Sequence, residues 1–140
     1  MTKSFLCHIL ILLSLASFSL STQATEYSRA LSNKVSVTGN MDLTKFQNLM
    51  QQGFKSVIVN RPDEENGNQV RVHQLRNIAE KSHVSVIYQP VHSGKITATD
   101  VQEFAKYYNE LPKPILMICR SGTRSSSLYN QAKAQGLLDE

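Results

Sequence analysis

The chain has 140 residues, with 15 lysines and arginines against 11 aspartates and glutamates, so its formal net charge at neutral pH is +4. This small positive excess is scattered, without basic runs or interleaved aromatic residues, which argues against a nucleic-acid-binding protein. We expect a small anionic substrate as the partner. The length fits one domain that buries a core of its own.

The first 24 residues have the pattern of a secretory signal peptide. Lys3 gives a short basic start, residues 5–20 form an apolar run interrupted by serines, and Thr22-Gln23-Ala24 offers small residues for cleavage. The run is short and rich in serine for a membrane span, although an uncleaved anchor is the alternative. We therefore predict cleavage near Ala24, a periplasmic or secreted protein, and no stable membrane association afterwards.

Removal of residues 1–24 would also remove Cys7 and leave Cys119 as the remaining cysteine. In an oxidising compartment an unpaired cysteine either pairs with another molecule or is kept as a reactive thiol, so a dithiol oxidoreductase is disfavoured. His73 and His83 stand alone in the sequence and do not have metal-ligand spacing. We expect neither a metal site nor a cofactor.

Strands and helices are predicted to alternate along the rest of the chain. Residues 25–34 are polar and are interpreted as a lead-in to a domain spanning 35–140. Alternating or continuous apolar residues predict strands at 35–38, 54–59, 84–88 and 114–118. Apolar residues at helical spacing predict helices near 43–50, 72–79, 101–111 and 125–135.

The third predicted helix carries a possible capping box formed by Thr99 and Gln102. The alternation as a whole predicts an α/β fold, with a mainly parallel four- to five-stranded sheet and helices on both faces, in three layers.

The run Cys119-Arg120-Ser121-Gly122-Thr123-Arg124-Ser125 joins the last predicted strand to the last predicted helix. A loop at a helix N-terminus points main-chain N–H groups at one place, where the helix dipole favours an oxyanion or a thiolate. Cys119 is therefore expected to ionise below the usual thiol range. Arg124 can grip two oxygens of an anion with its planar guanidinium. The alternative interpretation is that Cys119 is a small buried core residue that closes a strand.

Ligand sites of open parallel sheets lie beyond the carboxyl ends of the strands, which puts Arg61 and His92 on the same rim as Cys119. Arg61 is predicted either to bind substrate or to form a structural salt bridge with an acidic neighbour. Arg120 is either a second anion contact or a solvent-facing loop residue. Gly122 is expected to allow close backbone approach or a positive φ. Ser121 and Thr123 complete the predicted substrate-binding loop.

Several segments resemble the bacterial "beta-lactamase hydrolase-like protein, phosphatase-like" domain, a relative of dual-specificity protein phosphatases. They are residues 53–64, 89–91, 96–97 and 119–125. The resemblance extends from about residue 35 to residue 136 and implies a protein-tyrosine-phosphatase-like fold, with Cys119 as nucleophile and Arg124 as anion clamp. It also implies that the Ser125 hydroxyl hydrogen-bonds the cysteine and eases its departure, whereas helix capping is the alternative role for this serine.

The sequence departs from that superfamily in two places. Its phosphatases carry Cys-x5-Arg after a histidine, whereas here Cys-x4-Arg follows Ile118, which resembles the loop of rhodanese-type sulfurtransferases. Where the phosphatases usually have a general-acid aspartate, this chain has His92, which is either a proton donor or a surface loop residue. Asp63, in a predicted loop, and Asp100, in a predicted first helical turn, are weaker candidates.

Three functions remain open from the sequence. The first is an exported cysteine phosphatase-like hydrolase that forms a phosphocysteine, which the extent of the resemblance favours. The second is a rhodanese-like sulfurtransferase that carries a persulfide on Cys119, which the loop length favours. The third is a non-catalytic module that binds an anion or a partner, which the missing aspartate favours. The expected substrate is a phosphate ester or a sulfane sulfur donor.

Overall fold

The computed structural model describes residues 27–140. The predicted signal peptide and Cys7 lie outside these residues. Within 27–140, none of the helices is long and apolar enough to cross a membrane.

Five strands form one sheet in the order β1-β2-β5-β3-β4. Their bounds are Arg29–Ala30 for β1, Val35–Thr38 for β2, Ser56–Val59 for β3, Ser85–Tyr88 for β4 and Ile115–Ile118 for β5. Strands β2, β5, β3 and β4 are parallel, whereas β1 is antiparallel to β2. The predicted mainly parallel sheet is confirmed. The lead-in differs from the prediction, because two of its residues pair with β2 as an edge strand.

Strand β5 lies between β2 and β3, with Ile115 aligned to Val35 on one side and to Ser56 on the other. All four β5 residues are buried. A parallel strand covered on both faces has no solvent side, so its residues form a continuous apolar run rather than an alternating one. This explains the sequence Ile-Leu-Met-Ile immediately before Cys119.

Four helices cover the two faces of the sheet. They are α1 at Leu43–Leu49, α2 at Val72–Lys81, α3 at Ala98–Glu110 and α4 at Thr123–Ala134. Because side chains alternate along a strand, β5 contributes to two cores. Ile115 and Met117 belong to the cluster that contains residues of α3 and α4, and Leu116 and Ile118 to the cluster that contains residues of α1 and α2. The result is the predicted three-layer arrangement.

Two helix starts differ from the sequence prediction. Helix α3 is capped by Thr97, whose hydroxyl accepts from the Asp100 N–H at 3.1 Å while the Asp100 carboxylate accepts from the Thr97 N–H at 2.9 Å. The predicted capping box of Thr99 and Gln102 is therefore wrong, because the capping box that forms lies two residues earlier in the chain. Helix α4 also begins two residues early, because Gly122 adopts φ +86 and serves as its N-cap.

Candidate active site

The site lies where the carboxyl ends of β2, β5 and β3 meet. Cys119 follows β5 and donates its main-chain N–H to the Thr38 carbonyl at 3.1 Å, while Asn60 follows β3 and donates to the Ile118 carbonyl at 2.8 Å. Cys119 is thus bonded to the end of β2, and Ile118 before it is bonded to the residue that follows β3. This is the rim that the predicted topology identified.

Gly39 closes the other side of the loop, at the end of β2. It forms an isolated bridge with Ser121, and the next residue, Asn40, donates its N–H to the Arg120 carbonyl at 2.9 Å. A Cβ atom at position 39 would lie 2.7 Å from the Arg120 carbonyl oxygen and 2.8 Å from the Ser121 Cα. Any side chain at this position would therefore displace the loop. The sequence analysis did not single out Gly39.

The sulfur of Cys119 is enclosed by hydrogen-bond donors. The residue is 1 % exposed, and the Gly122 N–H donates to its Sγ at 3.0 Å. Burial raises the pKa of the Cys119 thiol, but hydrogen bonds from the Ser125 N–H, the Ser125 hydroxyl and the N–H groups of Ser121 and Gly122 lower it by more. The net result is a pKa below the usual thiol value, as the sequence predicted.

Arg124 is buried in the first turn of α4, and most of its donors are already used. Its Nη1 donates to the Val91 carbonyl at 2.8 Å and to the Asn60 carbonyl at 3.5 Å, and its Nη2 donates to Glu65 at 2.7 Å. Its Nε has no hydrogen-bond partner among residues 27–140. Because a buried donor without a partner is costly, this N–H is the Arg124 donor that an added acceptor would stabilise.

Glu65 is another residue that the sequence analysis missed. Its Oε1 accepts from Arg124 and its Oε2 accepts from the Arg61 Nε, each at 2.7 Å. Arg61 also donates to the Asn66 carbonyl at 3.1 Å. Arg61 therefore forms the structural salt bridge that was one of its two predicted roles, and it does not line the cavity over Cys119. The spacing of Arg61 and Glu65, four residues apart next to a strand end, was the available clue.

A cavity of about 400 Å³ opens over Cys119. Its lining comes from the loop, from the polar face of α4 and from the segment after β4; these residues are Ser93, Gly94, Ile96, Cys119, Arg120, Ser121, Thr123, Arg124, Ser127 and Gln131. The predicted substrate-binding residues Arg120, Ser121 and Thr123 thus line the same cavity as Cys119. Ser127 and Gln131 were not predicted, because their place depends on the rotation of α4.

The acidic residues considered as proton donors serve other purposes. Asp63 accepts from the Val72 N–H at 2.8 Å and so holds the first turn of α2, which corrects its interpretation as a solvated loop residue. Asp100 caps α3, as expected of a carboxylate in a first helical turn.

His92, the other predicted proton donor, is exposed. It does not line the cavity, although its neighbours Ser93 and Gly94 do.

Ser125 is fully buried, and its hydroxyl donates to Asn60 Oδ1 at 2.8 Å. Its predicted alternative role as a helix cap is wrong, because α4 is capped by Gly122. Hydrogen bonding from this hydroxyl is one of the causes that lower the pKa of the Cys119 thiol, and the leaving-group role that the resemblance implied for Ser125 stays a prediction. Cys119, the N–H groups around its sulfur, Ser125 and Arg124 therefore form one candidate site.

The fold is a protein-tyrosine-phosphatase-like fold, with the Cys119 loop at the rim of its sheet. Residues 27–136 match the family described as "Beta-lactamase hydrolase-like protein, phosphatase-like domain". The chain belongs to this family of phosphatase-like hydrolases.

Curated relatives carry the corresponding name. Beta-lactamase hydrolase-like proteins from Agrobacterium fabrum and Xylella fastidiosa are 30% and 28% identical to this chain over 99 residues. In each case the alignment covers 71% of this chain and 23% of the relative. The chain thus spans about a quarter of the length of these relatives.

Solved structures show the same fold. A candidate phosphatase from Neisseria meningitidis Z2491 is 28% identical, with a TM-score of 0.71 and coverage of 77% of both chains. A protein from Shewanella putrefaciens CN-32, also described as a candidate phosphatase, is 19% identical, with a TM-score of 0.67 and coverage of 81% of this chain and 75% of its own.

Proposed function

We propose that this protein is an exported cysteine-dependent phosphatase that hydrolyses small phosphate esters through a phosphocysteine. One observation carries the proposal: the Cys119 sulfur, held by main-chain N–H groups, and the unpartnered Nε of Arg124 belong to residues that line the same cavity. A nucleophile and an anion donor at the same cavity are what phosphoryl transfer to sulfur requires.

In the first step, the Cys119 thiolate attacks phosphorus, a P–S bond forms, and the bond from phosphorus to the leaving oxygen breaks. The loop N–H groups and Arg124 Nε bind the remaining phosphoryl oxygens as charge builds on them. The leaving oxygen takes a proton, for which the proposed donor is His92, which is exposed and directly precedes the cavity-lining Ser93. Water then attacks phosphorus, the P–S bond breaks, inorganic phosphate leaves, and the thiolate is restored.

The cavity supports a small substrate. Of the two arginines that line it, Arg124 is paired with Glu65, whereas Arg120 is exposed at the loop. Thr123, Ser127 and Gln131 follow at intervals of four residues along α4 and give the cavity a polar, uncharged side. A monophosphate ester with a polar leaving group matches this lining, with Arg120 as its outer anion contact.

Turnover of an aryl phosphate by the purified protein tests the proposal. We expect hydrolysis that is lost in Cys119→Ser and retained in Ser126→Ala, which changes a neighbouring hydroxyl that bonds the Gly122 carbonyl instead. Hydrolysis no faster than that of Cys119→Ser from mildly acidic to neutral pH would refute the proposal.

Export is a separate part of the proposal and rests on residues 1–24. We expect the protein in the periplasm or the medium after cell fractionation, with a mass that shows cleavage near Ala24. An uncleaved chain that stays with the cytoplasm would contradict this part and leave the proposed chemistry intact.

Sulfur transfer is the second candidate, and the Cys-x4-Arg loop favours it. Cys119 would attack the outer sulfur of thiosulfate, so that the S–S bond breaks and sulfite leaves, and the persulfide sulfur would then pass to cyanide as thiocyanate. This candidate predicts that thiosulfate adds one sulfur atom to the mass of the protein and that cyanide removes it. An unmodified thiol after thiosulfate treatment would exclude it.

A non-catalytic role has its own outcome in these assays. Phosphate or sulfate would then raise the unfolding temperature, because a ligand that binds only the native state stabilises it, while neither aryl phosphate nor thiosulfate would be turned over.

A further inference from the structure

The α4 side of the cavity over Cys119 carries a row of polar, uncharged side chains. Thr123, Ser127 and Gln131 follow one another at intervals of about one helical turn, and all three line the cavity. Because eight residues advance a helix by about 12 Å, Gln131 lies well beyond Thr123 along the axis. The row therefore runs from the loop that would hold the phosphoryl group toward the part of the cavity left for the rest of an ester.

Ser127 and Gln131 are hydrogen-bonded to each other, and each keeps a second hydrogen-bonding group available. The Gln131 Nε2 donates to Ser127 Oγ at 2.9 Å. The preceding Ser126 uses its hydroxyl proton on the Gly122 carbonyl at 2.7 Å, as helical serines often do. Within residues 27–140, the Ser127 hydroxyl proton and the Gln131 Oε1 have no such partner. The pair thus offers the cavity one donor and one acceptor side by side.

The remaining lining of the cavity comes from the Cys119 loop and from the segment between β4 and α3. That segment contributes Ser93, Gly94 and the apolar side chain of Ile96. Among the described residues that line this cavity there is no aromatic ring, so a nucleobase or a phenyl group would have nothing to stack on. The volume of about 400 Å³ is that of a site for a small molecule.

We propose that Ser127 and Gln131 determine substrate specificity by binding hydroxyl groups of the leaving group, and that the substrate is the monophosphate of a sugar or polyol. A hydroxyl group both donates and accepts, so adjacent hydroxyls can accept from Ser127 and donate to Gln131, while C–H groups pack against Ile96. A site built to hydrogen-bond a substrate hydroxyl disfavours an analogue that lacks it. The proposal rests on the proposed phosphatase function and deepens it by naming the substrate class.

The kinetic test compares glucose 6-phosphate with cyclohexylmethyl phosphate, a ring of the same size without hydroxyl groups. We expect kcat/KM to be about ten times higher for the sugar phosphate, because it gains two hydrogen bonds. Ser127→Ala and Gln131→Leu should each lower this preference roughly two- to tenfold, as expected for one hydrogen bond. No preference for the sugar phosphate, or a preference that both substitutions leave intact, would overturn the proposal.

The matched controls are Ser126→Ala and Asn130→Leu, which change the preceding residue in each case. The Ser126 hydroxyl is bonded to the Gly122 carbonyl, and Asn130 is exposed and outside the cavity lining. Both controls should keep the preference of the unmodified protein. Because each variant is measured with both substrates, a partly unfolded preparation does not alter the ratio.

Calorimetric titration of Cys119→Ser with the same two esters separates this proposal from the proposed function, because it needs no turnover. Glucose 6-phosphate should bind about ten times more tightly, and Ser127→Ala or Gln131→Leu should reduce the difference. If this difference is found while the unmodified protein hydrolyses neither ester, the phosphatase function is refuted and the site for a sugar phosphate is supported. Equal affinities, or no binding of either ester, would overturn the site whether or not an aryl phosphate is hydrolysed.

Discussion

Glu65 and Arg124 are joined by a salt bridge of 2.7 Å between Oε1 and Nη2, and this bridge determines which face of the guanidinium remains free. With Nη1 bound to main-chain carbonyls and Nη2 bound to Glu65, Nε is left without a partner among the described residues. The same carboxylate also binds Arg61. Glu65 therefore pairs with two buried arginines, balances one of their two positive charges, and orients Arg124.

Glu65→Ala should destabilise the protein and weaken anion binding. Loss of one partner from a buried ion pair costs about 3 kcal/mol, because the remaining charge is left uncompensated. Chemical denaturation measures the loss of unfolding free energy, and KM for an aryl phosphate reports the misplaced guanidinium.

The adjacent Glu64 is the matched control. It forms a salt bridge of 2.6 Å with Arg71, but both side chains are exposed. We expect Glu64→Ala to have a much smaller effect on stability and none on KM. Equal effects of the two substitutions would show that the bridge to Arg124 has no special role.

The second prediction concerns how the alkylation of Cys119 depends on pH. Because the folded pKa is lowered below that of the unfolded chain, alkylation of the native protein should have its midpoint below that of the denatured protein. The lowered pKa stabilises the folded protein at pH values above the pKa of Cys119 in the unfolded chain. This stabilisation is lost as the pH falls through the pKa of Cys119 in the folded protein. Ser125→Ala should raise the native midpoint, because it removes one hydrogen bond to the thiolate. Equal alkylation midpoints in the native and the denatured protein would show that the hydrogen bonds around the sulfur do not lower the pKa of Cys119.

Gly39→Ala tests the closure of the loop. The added Cβ would overlap the Arg120 carbonyl, so we expect a destabilisation of about 1–3 kcal/mol together with a loss of turnover. Gly136→Ala is the control, since that glycine has φ +69 and open space around it. Alanine there should reduce stability and leave turnover unchanged. Turnover that survives Gly39→Ala would show that the loop does not need this contact.

His92→Ala tests the proposed proton donor. General acid catalysis matters most when the leaving oxygen is basic, so an alkyl phosphate should lose about a hundredfold in kcat/KM, whereas an aryl phosphate with an acidic phenol should change little. The side chain is exposed, so the substitution should not affect stability. Equal effects on the two substrates would remove His92 from the mechanism.

Hydrophobic spacing predicted the strands and helices well, because the burial of a segment is reflected in the order of its own apolar and polar residues. The continuous apolar run of β5 predicted a strand, which the structure shows to be fully buried, and its position before Cys119 placed that residue at the rim. The capping box at α3 was misplaced because Thr99 with Gln102 and Thr97 with Asp100 are both capping patterns at the sequence level. Which pair forms depends on where the chain enters the helix.

The supporting residues of the site could not be predicted in the same way. Glu65 lies in a charged loop that has no periodicity, and its contact with Arg124 joins positions 59 residues apart. The Asn60 contact with Ser125 spans 65 residues. Such contacts depend on how β3 and α4 are placed across the sheet, which hydrophobic spacing alone does not specify.

The central claim is that the Cys119 sulfur attacks phosphorus, and the mass of the intact protein, quenched in acid during turnover of an aryl phosphate, tests it most directly. We predict a fraction of the protein heavier by one phosphoryl group on Cys119, absent from Cys119→Ser. Turnover without any adduct on Cys119, or an adduct of one sulfur atom with thiosulfate and none with the phosphate ester, would contradict the account.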